Sequence, residues 1–153
     1  MKFICPLITV SNIAQSRKFY EEVLDQKVKY DFGENVTFHG DFAIHLDTHF
    51  SKLINNKPIV KNSNSFELYF EEGNIEALAN RLKELKIDFV HPLREQPWKQ
   101  LVVRFYDPDG NIIEVGEPLM HTAKRLSSLG NSTQQVAELM DVPTSAIDHW
   151  LCE

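Results

Sequence analysis

Residues 4–23 read ICPLITVSNIAQSRKFYEEV, and residues 66–85 read FELYFEEGNIEALANRLKEL. At an offset of 62 residues, each β-rich run leads to an Asn-Ile pair, Asn12-Ile13 or Asn74-Ile75, where a helix should begin. Asn is a favoured N-cap, and Gln15 after Asn12 has capping-box spacing. The first helix, 12–24, places Ile13, Phe19, Tyr20, Val23 and Leu24 on one apolar face. The second, 75–86, does the same with Ile75, Leu78, Leu82 and Leu85. Strands at 3–10 and 66–72 lead the two halves. In the first half, strands at 27–32, 35–39 and 42–47 follow, split by Gly33 and Gly40-Asp41. In the second, strands at 87–91, 101–106 and 111–116 follow, with a loop through Pro92 and Pro97 and a turn at Asp107-Pro108-Asp109-Gly110. Each half is β-α-β-β-β, and such a repeat is two copies of one supersecondary unit. The expected class is α+β: two βαβββ modules, 1–48 and 64–117, joined by a Lys/Asn-rich connector with a short helix near 49–54.

The chain of 153 residues suits one sizeable core, with 25% charged residues and 42% hydrophobic ones. A net charge of −6 and a pI near 5.5 disfavour nucleic acid as a partner. No apolar run approaches the ~20 residues that span a bilayer, and the N-terminus reads as a strand rather than a signal peptide. Cys5 and Cys152 lie at opposite ends, which argues against a structural disulfide and for a reducing cytoplasm.

Residues 119–153 form an extension outside the 1–118 domain. Leu126, Leu129, Val136, Leu139, Met140, Ile147 and Trp150, punctuated by Gly130 and Pro143, predict two or three short helices. The stretch TQQVAELMDVPTSAIDHWL resembles a helix-turn-helix. However, Asp141 holds the usual glycine position, and 144–152 contains no Lys or Arg to meet phosphate. The expected role is packing, not reading DNA.

The repeat also aligns side chains. Cys5 corresponds to Glu67, each seven residues before its Asn-Ile pair, and each half ends on a strand with a polar residue among apolar ones, His45 or Glu114. Strand alternation would send Thr9 with Cys5, Asp47 with His45, Tyr69 and Glu71 with Glu67, and Ile112 and Gly116 with Glu114. A buried, unpaired carboxylate is costly, so a metal, a cation or a ligand donor must offset it. Each residue also has a plain reading: Cys5 as core, His45 as a hydrogen-bonded wall, Glu67 as a solvated strand residue. Glu114 resists one best, as a lone acid inside an apolar strand.

LITVSNIAQSRKFYEEVL together with FYDPDGNIIEV is similar to the vicinal oxygen chelate superfamily, which includes glyoxalase I, bleomycin- and fosfomycin-resistance proteins and extradiol dioxygenases. The resemblance covers about 3–117. It implies a cupped mixed sheet with a metal held by the first and last strands of two modules, here Cys5, His45, Glu67 and Glu114. Carboxylate and imidazole together suit Zn, Ni, Mn, Fe or Co. It further implies a lactoylglutathione lyase-like lyase or isomerase acting on a small oxygen-rich substrate, an α-hydroxycarbonyl or hemithioacetal. There the metal stabilises an enediolate, with Glu114 or else Glu67 as base. Thr9 stands where glutathione-using members carry Arg. Tyr69, Trp98, Gln100 and Arg104 complete the expected substrate-binding residues. The alternative it implies is a resistance-type protein that traps a cationic small molecule without catalysis. Homodimers are expected in either case.

Overall fold

A computed structural model describes residues Met1–Cys152. In order, the elements are β1 (Leu7–Val10), α1 (Ile13–Val23), β2 (Val28–Asp31), β3 (Asn35–Phe38), β4 (Ala43–Leu46), α2 (Asp47–Leu53), β5 (Glu67–Glu71), α3 (Ile75–Glu84), β6 (Phe89–Glu95), β7 (Leu101–Tyr106), β8 (Ile112–Gly116), α4 (Leu119–Ser128), α5 (Thr133–Met140) and α6 (Thr144–Cys152). The halves build equivalent four-stranded sheets, ordered β1-β4-β3-β2 and β5-β8-β7-β6. In both, the leading strand pairs with the last. The α+β fold of two βαβββ modules is therefore what the repeat predicts. By packing, the chain forms two compact units: Met1–Glu67 with Tyr106–Ile112, and Leu68–Phe105 with the chain from Ile113 onward. Among the described residues, no helix is long and apolar enough to cross a membrane.

In the first unit, Asn12 caps α1 by accepting the Gln15 N–H at 3.0 Å. The helix buries Phe19 and Tyr20 against Val10, Val36, Phe38, Phe42 and Ile44. Tyr20 is the hub, with ring centroids 5.4 Å from Phe19, 5.5 Å from Phe38 and 5.2 Å from Phe42. Its hydroxyl donates to Asp107 at 2.8 Å, tying this core to the Asp107–Gly110 turn. The expected strand at 3–10 starts only at Leu7, because Pro6 has no N–H to offer a ladder.

In the second unit, α3 buries Ile75, Ala79 and Leu82, with Leu68, Val103, Phe105, Ile113 and Val115 also in the core. The strand expected at 87–91 instead runs on through Pro92 to Glu95. It is the sheet's outer strand, and its register slips around Pro92, between His91 and Arg94. An edge with a bulge is where a strand tolerates proline. The tail is three helices. Ala123, Leu126, Val136, Ala137, Met140 and Ile147 make its core, with Trp150 packed against them. Arg125 anchors α4, donating to the Lys99 carbonyl at 2.7 Å and to the buried Glu117 carboxylate.

Asp107 is 4% exposed and accepts from Tyr20, from the Asn111 amide, and from the backbone N–H groups of Asp109 and Asn111. Asp107→Ala strands several buried donors at about 1–3 kcal/mol each, so urea unfolding should show a loss of about 3 kcal/mol or more. A loss below ~1 kcal/mol would show that the turn does not brace the core.

Candidate functional site

Of the residues singled out in sequence, Cys5, Thr9, His45 and Glu67 lie in the first unit, and Tyr69, Trp98, Gln100, Arg104 and Glu114 in the second. In the first sheet, β1 runs parallel to β4 with Thr9 beside His45, and β3 sets Asn35 on the other flank of His45. These three share the face opposite Ile44, as strand alternation requires. Cys5 precedes β1, four residues before Thr9. Glu67 opens β5 and lines a hollow of about 270 Å³ with Asn64, Ser65, Phe66 and Ile112.

His45 is 7% exposed and both ring nitrogens are engaged. Nδ1 lies 3.1 Å from the Asn35 amide nitrogen, and Nε2 lies 2.8 Å from His49 Nδ1. An amide NH2 can only donate, so His45 Nδ1 accepts, its proton sits on Nε2, and that N–H donates to His49. The two imidazoles stack with centroids 5.0 Å apart, and Phe50 meets His45 edge-on at 5.6 Å. Burial holds His45 below the ordinary imidazole value; neighbouring His49 adds to the depression, and Glu34 opposes it.

In the second sheet, Gly116 sits against Gln100 and Tyr69. A Cβ there would lie 2.6 Å from Gln100 Nε2 and 3.2 Å from the Tyr69 hydroxyl. The missing side chain leaves room for a hydrogen-bonded chain. Trp98 Nε1–H donates to Gln100 Oε1 at 2.8 Å, Gln100 Nε2 donates to the Tyr69 hydroxyl at 3.0 Å and to the Glu117 carbonyl at 2.8 Å, and Tyr69 donates to Glu71 at 3.0 Å. Burial raises the Tyr69 phenol above its ordinary value; the Gln100 donor opposes this and Glu71 reinforces it.

Glu114, two residues before Gly116 on β8, shares that face, and it is buried at 5% exposure. Its carboxylate is ion-paired with Arg104. Arg104 in turn reaches His91 Nε2 at 3.2 Å, and His91 Nδ1–H donates to the Pro92 carbonyl at 2.9 Å. The cation that offsets the buried acid is thus supplied by the chain.

Three site residues were not singled out in sequence. His49 carries one signal, lying four residues after His45 across the β4–α2 junction. Asn35 and His91 carry none, since only strand register reveals their partners. Among the described residues, no group of three or more His, Cys, Asp or Glu is placed to hold a metal ion.

The sequence profile of the Glyoxalase-like domain matches residues 3–120. A protein of unknown function from Agrobacterium tumefaciens is 37% identical, with a TM-score of 0.70 over 77% of this chain and 94% of its own. Lactoylglutathione lyase from the same organism is 20% identical, with a TM-score of 0.60 over 78% of this chain and 96% of its own. A fosfomycin resistance protein from Mesorhizobium loti is 19% identical, with a TM-score of 0.57 over 82% and 97%. These last two share the fold. No curated protein sequence matches the chain.

Two outcomes follow from the geometry. Glu114→Gln removes the partner of a largely buried guanidinium, so it should destabilise by about 2 kcal/mol or more in urea, whereas relief of an isolated buried acid would stabilise. His45 favours its neutral form in the folded state, so its contribution to stability is complete above the unfolded value of about 6.5 and is lost as pH falls through the lower folded value. NMR titration of the imidazole should give a midpoint below that of a free histidine; a midpoint above it would show that the buried neutral pair is wrong.

Proposed function

Because this chain belongs to the glyoxalase-like domain family, within the vicinal oxygen chelate superfamily, we propose that it is a small-molecule-binding member that takes a cationic ligand without turning it over. The observation that carries this reading is the Arg104–Glu114 ion pair. A lyase of this family type needs Glu114 as a free base or metal ligand, and here its carboxylate is held by a guanidinium. The other expected metal ligands do not fit that role either. Both nitrogens of His45 are occupied by Asn35 and His49, and Cys5 lies well upstream of the strand position beside His45. Superfamily members commonly hold a divalent metal, but these side chains, as paired here, do not compose such a centre.

The second sheet offers a different chemistry. Tyr69 is 48% exposed, with Trp98 at the far end of its hydrogen-bonded chain and Glu71 at the near end. Aromatic faces and an unneutralised carboxylate attract a cation. The Gln100 bridge fixes the Tyr69 ring before any ligand arrives, which lowers the ordering cost of binding.

Tetraphenylphosphonium, titrated by calorimetry, is a suitable probe. Tyr69→Ala should weaken its binding about 3- to 30-fold, the scale of a cation–π contact, and Glu71→Gln should weaken it in the same direction. Protein purified without chelator should carry far less than one equivalent of transition metal. A stoichiometric metal whose removal abolishes turnover of a hemithioacetal would overturn the proposal in favour of metal-dependent lyase chemistry.

A further inference from the structure

The loop joining β6 to β7 carries Trp98 and Gln100. Two backbone bonds close it: Gln96 N–H to the Gln100 carbonyl at 2.9 Å, and Lys99 N–H to the Gln96 carbonyl at 2.8 Å. Within it Lys99 takes the left-handed conformation at φ 71°. A residue with a Cβ adopts that conformation only at a cost, so surrounding structure must impose it.

The brace comes from α4. Arg125 donates to the Lys99 carbonyl at 2.7 Å, pairs with Glu117 through two of its nitrogens, and reaches Glu95 at 3.6 Å. Glu117 holds the loop from the other side. Its carboxylate accepts the Leu101 N–H at 3.0 Å, and its backbone carbonyl accepts Gln100 Nε2 at 2.8 Å. Gln100 is the middle member of the Trp98–Gln100–Tyr69 chain. One guanidinium therefore grips both the residue before Gln100 and the acid whose backbone holds Gln100. A planar fork can serve a carbonyl and a carboxylate at once, which a lysine ammonium cannot. Arg125 lies beyond residue 120, where the family match ends.

We infer that Arg125 is a positioning residue for the ligand site, and that the α4–α6 extension and that site are coupled through it. The inference rests on the reading of Tyr69 and Glu71 as a cation site. Coupling is reciprocal: if the extension favours binding, the bound ligand favours the ordered extension by the same factor.

Sign separates positioning from plain electrostatics. Removing Arg125 takes a cation away from Glu117 and Glu95. By charge alone that would tighten a cationic ligand. Loss of positioning frees Gln100 and the ring it fixes, so it weakens the ligand. An anchor with no link to the site would leave the affinity unchanged.

The test is calorimetric titration of the full chain with tetraphenylphosphonium, beside NMR of the indole N–H signals, that of Trp98 assigned through Trp98→Phe. Arg125→Gln should weaken binding about 3- to 10-fold, the scale of ordering one rotamer-rich side chain. It should also move the unliganded Trp98 signal toward that of a free indole. Arg125→Lys should recover only part of the affinity. The unsubstituted chain decides the matter if Arg125→Gln loses its helical circular dichroism. There, saturating probe should slow hydrogen exchange over 96–101 and α4, and less so in Tyr69→Ala at the same probe concentration. An unmoved Trp98 indole in folded Arg125→Gln, unchanged or tighter binding by that variant, full recovery in Arg125→Lys, or an unprotected α4 would each overturn the inference. Binding indifferent to Tyr69→Ala would instead overturn the reading of the site, and the unliganded indole shift would still decide the role of Arg125.

Discussion

One buried carboxylate fixes the first unit. Asp107 accepts four hydrogen bonds, from the Tyr20 hydroxyl, the Asn111 side chain and two backbone N–H groups of its own turn. A charge at 4% exposure is tolerable only with such a complement of donors. Burial, and then the Asp107 charge, hold the Tyr20 phenol well above its ordinary value, so it remains a donor. Because Tyr20 is also the hub of the aromatic core, the turn and the core stand or fall together. Asp109 extends the clasp to the Ser11 N–H at 2.8 Å, the Ser16 hydroxyl at 3.2 Å and the Lys61 ammonium at 2.9 Å. Burial would raise the Asp109 carboxyl, but the donors from Ser11 and Lys61 bring it below its ordinary value. Gly110, at φ +79°, lies against the Asn62 side chain, which leaves no room for a Cβ. The connector is therefore seated on the turn by both charge and shape.

The repeat was legible because it rests on local signals: apolar alternation, Asn caps and Gly/Asp turns. The helix after Asn74 and the hairpin at Asp107–Gly110 stand where those signals put them. Two boundaries moved for a single reason, proline's missing donor. Pro6 delays β1, whereas Pro92 is carried inside β6 because an outer strand does not need that N–H. The candidate site was legible as a set of positions but not as a set of partners. Alternation places Glu114, Gly116 and Tyr69 on related faces. That Glu114 meets Arg104, that Arg104 meets His91, and that His45 meets Asn35 and His49 are facts of register and rotamer, which a linear pattern does not encode.

The two sheets solve the same problem in opposite ways. Each carries a polar residue on its last strand, inside apolar surroundings. In the first sheet the residue is neutral, and the solution is a line of hydrogen bonds from Asn35 through His45 to His49 that moves no net charge into the interior. In the second it is an acid, and the solution is an internal counter-ion. His45 thus has both ring nitrogens engaged, and Glu114 is ion-paired with Arg104. That is how a wall is built, and it moves the task of recognition outward, to side chains such as Tyr69 and Glu71 that remain accessible.

The tail shows how a motif's shape can arise without its chemistry. Asp141 takes the left-handed conformation at φ 56°, and Val142 N–H reaches back to the Ala137 carbonyl at 3.1 Å, closing the α5–α6 turn without the usual glycine. Asp is among the few non-glycine residues that accept this geometry readily. Ser132 and Gln135 cap the start of α5 reciprocally. Val136, Ala137, Met140 and Ile147 face inward and account for the crossing of the helices. The exposed residues of α5 and α6 include Glu138, Leu139, Asp141, Thr144, Ser145, Asp148 and His149, with no Lys or Arg among them. Packing alone is sufficient reason for three short helices to adopt this arrangement.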